Sequence, residues 1–378
     1  MKTAIFSFFF SALIYLSSEN CNIIMCTLHA RTMSQSGMTT ADIDPTLCPY
    51  LRIKFVEWLN DALDVDRRVS DIYPWLWDTK AKNPSIKIVL TFYNIVGDDK
   101  FYEMYRTPER RLKFIPLLVT YVRNNKFDGV ELDLDMGFGL RSPERYHIDR
   151  WADFVEDVQK ALVDEATRSG KPKIVLFGRI DERAEYLYPF YNVPRMYRHS
   201  DLINLEAWAS YSQRVGPRFN ISLTSTHHCK IYKTNENDKN CIEYYVNSVM
   251  AKGGIKEKTI LSLYLMATFF YEYKYNLDPT ILPNYDRIQF NNYGEVCEYK
   301  KGRSNVTRVY EQCPIAMVGR NVIYYDDEIS MVEKIKYVKK NGLAGFELLD
   351  MSADDFSGNC GKGKFPLMRT VLEECRKP

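Results

Sequence analysis

The sequence is short of net charge, of histidine and of long apolar runs. Lys and Arg number 51 against 49 Asp and Glu, a net charge of +2, so the chain as a whole has no basic field to draw nucleic acid or anionic lipid. Only five His are present, and no Cys-x-x-Cys pair exists to build a zinc site with them. His227, His228 and Cys229 are adjacent, but neighbours in an extended segment point to opposite faces, and no metal is expected there. No Gly-x-Gly-x-x-Gly or phosphate loop follows a candidate strand, so no nucleotide cofactor, and no other cofactor, is expected. The longest apolar stretch, Ala4 to Leu16, has thirteen residues. At ~1.5 Å per helical residue it falls short of a bilayer core of ~30 Å.

That stretch follows Lys2 and ends in Ser17 and Ser18, the three-part layout of a secretory signal over residues 1–20. The expected location is therefore extracellular, with no membrane segment after cleavage. An oxidising compartment makes the nine cysteines readable as disulfide candidates. It also makes Asn220-Ile-Ser and Asn305-Val-Thr glycosylation candidates, at Asn220 and Asn305.

The remainder, in a chain of 378 residues with 46% hydrophobic and 26% charged residues, is globular in composition. Short β-branched runs recur at Asn22–Cys26, Leu51–Val56, Ile86–Tyr93, Asp128–Asp135, Lys173–Ile180, Leu202–Trp208, Thr259–Leu265 and Ala344–Leu349. Helical stripes lie between them. One carries Trp151, Phe154, Val155, Val158 and Leu162 and stops at Ser169-Gly170; another starts at Thr107-Pro108; a third runs from Asp326-Asp327 to Asn341-Gly342. Strand and helix alternating in this way predict an α/β chain, a (β/α)8 TIM barrel over residues 21–270 and 326–378. Residues 271–325, rich in Tyr and Asn, lie between the seventh and eighth strands and are expected to form a small α+β insertion domain. An open doubly wound sheet is the alternative architecture.

The stretch Phe127-Asp-Gly-Val-Glu-Leu-Asp-Leu-Asp-Met136 carries the chemistry. Strand side chains alternate, so Glu131, Asp133 and Asp135 share one face, ~6.6 Å apart between successive Cα atoms, and Val130, Leu132 and Leu134 the other. With the apolar set against the helices, three carboxylates point into the barrel and Asp135 stands nearest its C-terminal mouth. A structural core seldom selects three buried acids in a row.

This strand resembles the Asp-Gly-x-Asp-x-Asp-x-Glu signature of glycoside hydrolase family 18, the chitinases and chitinase-like proteins. Further resemblances run along most of the chain. Asp42-Ile-Asp-Pro-Thr-Leu-Cys48 is similar to the family's approach to its second strand, and Tyr325-Asp-Asp327 and Asp354-Asp-Phe-Ser-Gly-Asn-Cys-Gly361 to the flanks of its eighth. The resemblance implies disulfides Cys26–Cys48 and Cys297–Cys360. In the implied barrel Cys21 and Cys375 both lie at the bottom and are expected to pair. Cys229 and Cys241 bracket a polar loop and are expected to pair locally, which leaves Cys313 free.

The departures from the family pattern carry the functional expectation. The last signature residue in the family is a Glu that protonates the glycosidic oxygen; here it is Asp135, one methylene and ~1.5 Å shorter. A misplacement of about 1 Å can cost about 100-fold, and a general acid is worth about 10² to 10⁴. The first signature Asp is Glu131, while Asp133, which in the family helps orient the substrate's acetamido group, is retained. The family's Met-x-Tyr-Asp on the sixth strand is Glu206-Ala-Trp-Ala209, its Ser-x-Gly-Gly on the third is Thr91-Phe-Tyr-Asn94, its Tyr-Gly-Arg on the seventh is Met266-Ala-Thr268, and the Trp flooring the sugar subsite is Leu349.

Glu206 and Glu347 stand where the family has Met and are expected to point inward, with Arg179 as the nearest counter-charge and at least one carboxyl kept neutral by like-charge crowding. The resulting expectation is a secreted chitinase-like protein without hydrolase activity that binds a chitin-type oligosaccharide, another glycan or a protein partner. Tyr93, Trp208 and Tyr264 are the candidate sugar contacts. The alternative is a weak or altered glycoside hydrolase with Asp135 as general acid.

Overall fold

A computed structural model of the chain describes residues 21–59, 62–65, 67–93, 103–133, 145–180, 191–207, 229–239, 241–271, 287–302, 305–310 and 312–377. Residues 1–20, where a signal segment is expected, and Asp135, Trp208 and Asn220 lie outside the described residues, as does the side chain of Tyr93.

Eight parallel strands close into a barrel: β1 (Ile23–His29), β2 (Tyr50–Leu59), β4 (Lys87–Tyr93), β5 (Gly129–Asp133), β6 (Val175–Ile180), β7 (Leu202–Glu206), β8 (Thr259–Tyr264) and β14 (Gly345–Leu349). Closure comes from the parallel pairing of β1 with both β14 and β2, and β3 (Ala62–Val65) folds back antiparallel onto β2. These strands coincide with the eight β-branched runs, because each run sends every second side chain to the helices and the rest into the barrel. The open sheet is excluded by the β1–β2 pairing.

The helix boundaries follow local chemistry. Thr107 accepts the N–H of Arg110 at 3.4 Å and, with Pro108 in the first turn, opens the Pro108–Asn124 helix. Asp327 accepts the N–H groups of Ile329 and Ser330, both at 3.1 Å, and opens Glu328–Asn341, which Gly342 ends at a φ of 65°. Closure also constrains single residues. Gly345 has a φ of 155°, and a Cβ there would lie 1.9 Å from the Ile23 carbonyl oxygen, so the strand that seals the barrel accepts only glycine at that point.

A second sheet, antiparallel in the order β10-β9-β13-β12-β11, leaves the barrel after β8. Its strands are β9 (Ala267–Tyr271), β10 (Arg287–Asn291), β11 (Asn305–Val309), β12 (Cys313–Val318) and β13 (Asn321–Tyr324), and its helix, Tyr293–Lys300, starts at a capping box of Asn292 and Glu295. The sheet begins at Ala267, four residues before the boundary read from the sequence. Those residues, Ala267, Thr268, Phe269 and Phe270, are all buried and mostly apolar, like the strand before them.

Four disulfides fasten the chain: Cys21–Cys375, Cys26–Cys48, Cys229–Cys313 and Cys297–Cys360. The local Cys229–Cys241 pair is corrected, and so is the free Cys313. Cys313 opens β12 and bonds Cys229, 84 residues away, whereas Cys241 is a buried free thiol at the start of the Ile242–Ala251 helix. Two of the four bonds, through Cys297 and Cys313, tie the second sheet and its helix to barrel segments, which loop length in the sequence does not report.

Candidate ligand site at the barrel mouth

Inward side chains stack in three levels, each two residues further along its strand. The lowest is apolar: Met25, Val89, Phe177 and Ile260 pack together. Gly129 leaves room for this plug, since a Cβ there would meet the Phe177 ring at 2.9 Å. One step up, polarity switches to Thr27, Arg52, Thr91, Glu131, Arg179, Asn204, Ser262 and Glu347, all buried. The third level, at the mouth, holds His29, Lys54, Asp133, Glu206 and Tyr264.

The middle level is a closed set of ion pairs. Arg52 Nη1 lies 2.5 Å from Glu131 Oε2, and its Nη2 contacts Glu347. Arg179 Nη1 lies 3.0 Å from Glu347 Oε2 and 3.7 Å from Glu131 Oε1. Neutral donors fill the remaining lone pairs: Thr27 donates to Glu347 at 2.7 Å, and Thr91 and Asn204 donate to Glu131 at 2.9 and 2.5 Å. Buried charges persist only when paired and hydrogen-bonded in this way. The same guanidinium of Arg179 reaches up to the mouth, where it contacts Glu206 and lies 3.5 Å from Asp133, which Lys54 also approaches at 3.4 Å.

Each charge state follows from these neighbours. Burial alone would push the Glu347 carboxyl up, but Arg52 and Arg179 hold it down at about 2. Burial also opposes the Arg179 charge, yet Glu347, Asp133 and Glu131 outweigh it and keep the guanidinium ionised more firmly than usual. Lys54 shifts the other way, because burial and the two arginines outweigh Asp133. His29 falls to about 3 through burial beside Lys54 and Arg52 and is neutral. Glu347 is therefore not a carboxyl that like-charge crowding keeps neutral, because two guanidiniums outweigh the neighbouring acids. Arg52 and Lys54, both on β2, supply the cations missed in the sequence, and the alternation Leu51-Arg52-Ile53-Lys54 is the signal that could have found them. Two buried carboxyls elsewhere do rise, chiefly through burial: Asp350, whose Oδ2 accepts from Thr32, to about 6, and Asp354 to about 7.

Of the sequence-selected residues, the structure brings Glu131, Asp133, Glu206, Glu347 and Arg179 into one network. Tyr264 ends β8 at the rim, half-buried, with its hydroxyl 3.2 Å from Met266 Sδ. Asn305 is exposed at the start of β11. No group of three or more potential metal ligands occurs among the described residues, and no described helix is long and apolar enough to cross a membrane.

The described acids at the mouth are paired with cations. A proton donor to a glycosidic oxygen must hold its proton near neutral pH. Glu347, one level below the mouth, is held ionised by Arg52 and Arg179, while at the mouth Asp133 lies beside Lys54 and Arg179 and Glu206 contacts Arg179.

The comparisons agree with this architecture. Chitotriosidase-1 of Mus musculus is 26% identical over 363 residues, covering 89% of this chain and 74% of its own. Chitinase-3-like protein 2 of Homo sapiens is 25% identical over 352 residues, covering 88% and 86%. The structure of human YKL-39, described as a pseudo-chitinase with retained chitooligosaccharide binding properties, superposes with a TM-score of 0.81 at 23% identity, over 94% of this chain and 100% of that one. The model of the glycosyl hydrolases family 18 matches residues 25–354. The chain thus belongs to the glycosyl hydrolases family 18, with the TIM barrel of the chitinases and chitinase-like proteins.

Proposed function

We propose that this chain is a secreted, non-hydrolytic member of its family that binds chitin-type oligosaccharides at the barrel mouth. One observation carries the reading: Asp133, the retained signature carboxylate, stands between Lys54 at 3.4 Å and Arg179 at 3.5 Å. In the family this position helps orient the acetamido group that acts as internal nucleophile. Here both cations compete for it, and the acid position beyond it carries the shorter Asp135. Ligand binding does not need a proton donor, and the mouth keeps neutral His29 and Tyr264 beside the charges as polar and aromatic contacts. Retained chitooligosaccharide binding in the pseudo-chitinase neighbour supports the substrate class. Four disulfides support secretion, since such bonds persist in oxidising compartments. Asn220 and Asn305 are then available for glycosylation.

Calorimetric titration with N-acetylglucosamine oligomers, followed by product analysis after long incubation, tests the proposal. Saturable binding without cleavage is expected. Cleavage that disappears in Asp135→Ala would establish an altered hydrolase instead, and neither binding nor cleavage would direct the search to protein partners.

A further inference from the structure

The opposite pole of the barrel holds a cavity of about 330 Å³. It opens where β4, β5 and β6 begin, and each turn entering those strands brings a cation to it. Lys87 starts β4, Lys126 precedes β5, and Lys171 and Lys173 precede β6; Lys80 and Arg123 reach it from the ends of the Tyr73–Lys82 and Pro108–Asn124 helices. The floor is apolar. Val89 and Phe177 show it the underside of the barrel plug, Phe127 adds a wall, and the Tyr50 ring meets Phe177 edge to face at 6.4 Å.

The cations divide into two groups. Lys80 holds Asp128 at 2.5 Å, Arg123 Nε holds Glu165 at 2.8 Å, and Lys173 holds Asp201 at 2.5 Å, so three are fixed in place. Lys126 and Lys171 have no ion pair among the described residues, and Lys87 comes no closer than 3.9 Å to Asp128. Six cations thus meet three carboxylates on a chain whose total charge is only +2. A concave, low-dielectric surface of one sign concentrates counter-ions. Ammonium groups are compact charges with rotatable donors, suited to a tetrahedral oxyanion, and the volume is at the small end of the ~300–1,000 Å³ of ligand sites.

We propose that this cavity is a second ligand site, which takes a sulfate or phosphate ester carried on a sugar-sized ring. The ring lies on Tyr50 and Phe177, and Lys87, Lys126 and Lys171 close on the oxyanion. The apolar plug separates it from the mouth, so the two sites bind independently.

The test is calorimetric titration with glucose 6-sulfate and glucose 6-phosphate, with glucose as the neutral control. The variant is K87Q/K126N/K171Q; Asn is chosen at 126 because Lys126 has a φ of 58°, a conformation Asn tolerates. Saturable binding of at least one ester and none of glucose is expected, weakened at least about tenfold in the variant and also by added salt. The variant should keep its melting temperature and its response to N-acetylglucosamine oligomers. Binding of one ester alone names the group; binding of both shows that charge and ring suffice. Failure of both esters to bind, or equal binding in the variant, overturns the proposal, whatever happens at the mouth. If the triple variant does not fold, Lys171→Gln alone, at an exposed position, is expected to weaken binding several-fold, and unchanged affinity there overturns the proposal equally.

Discussion

Glu131 and Glu347 stand on opposite strands of the barrel, yet they share both guanidiniums, Arg52 and Arg179. Two anions and two cations alternate around the barrel axis, each within reach of both opposite charges. This arrangement solves the problem created by placing Glu347 in the interior. A single buried carboxylate would cost several kcal/mol, on the order of the whole stability of a domain at ~5–15 kcal/mol. Side chains long enough to cross the barrel, as arginines are, neutralise it from strands that are not its neighbours.

Removal of Arg52 exposes that dependence. Arg52→Met leaves Glu131 and Glu347 with one fewer counter-charge in a buried site and is expected to cost about 3–5 kcal/mol, the range for breaking a buried pair. A second change, Glu131→Gln, should recover part of the loss. Urea unfolding of the two variants measures both effects, and an unchanged midpoint for Arg52→Met would show that water already reaches the network.

Restoring the family's acid should not restore hydrolysis. Asp135→Glu returns the missing methylene, but Asp133 remains between Lys54 and Arg179 and Glu206 remains on Arg179. Product analysis on N-acetylglucosamine oligomers should show no cleavage by this variant. Cleavage by it would mean that the ion pairs leave Asp133 available.

Two buried acids give stability opposite pH slopes. Glu347 has a folded value near 2 against 4.5, so its contribution is complete above about pH 4.5 and is lost as pH falls toward 2. Asp350 is raised from 3.8 to about 6, so the folded state binds its proton more tightly; stability is full below about pH 3.8 and declines as pH rises through 6. Asp350→Asn should remove its share of that slope, while Asp354, raised to about 7, keeps its own. The variant's advantage over the parent is expected to grow between pH 4 and 6, to a limit of about 3 kcal/mol. Parallel melting profiles across that window would contradict the assignment.

The thiol inventory is specific. Under denaturing, non-reducing conditions one alkylation is expected, at Cys241, and peptide mapping should recover Cys229 joined to Cys313. A Cys229–Cys241 fragment would reverse that order.

The eight barrel strands and the main helix ends were legible because each depends on neighbours in sequence: alternation for strands such as Val130–Leu132, an N-cap and proline at Thr107-Pro108, a glycine stop at Gly342. The inward direction of Glu131, Asp133, Glu206 and Glu347 was legible for the same reason, since the barrel has an inside and strands have period two. Partners were not. Arg52 meets Glu347 from 295 positions away in number only because β1 joins β2 to β14, and Cys313 finds Cys229 only because the fold brings the start of β12 beside a segment 84 residues earlier. The bottom cavity is the clearest case: a sequence with balanced totals hides a local excess of lysine that exists only once three turns are brought to one pole. Sequence by itself determined periodicity, caps and the departures at Asp135 and Glu131. The tertiary structure decided charge states and the partner of Cys229, because electrostatic and covalent pairing act across space and the folding of the chain sets which side chains are near.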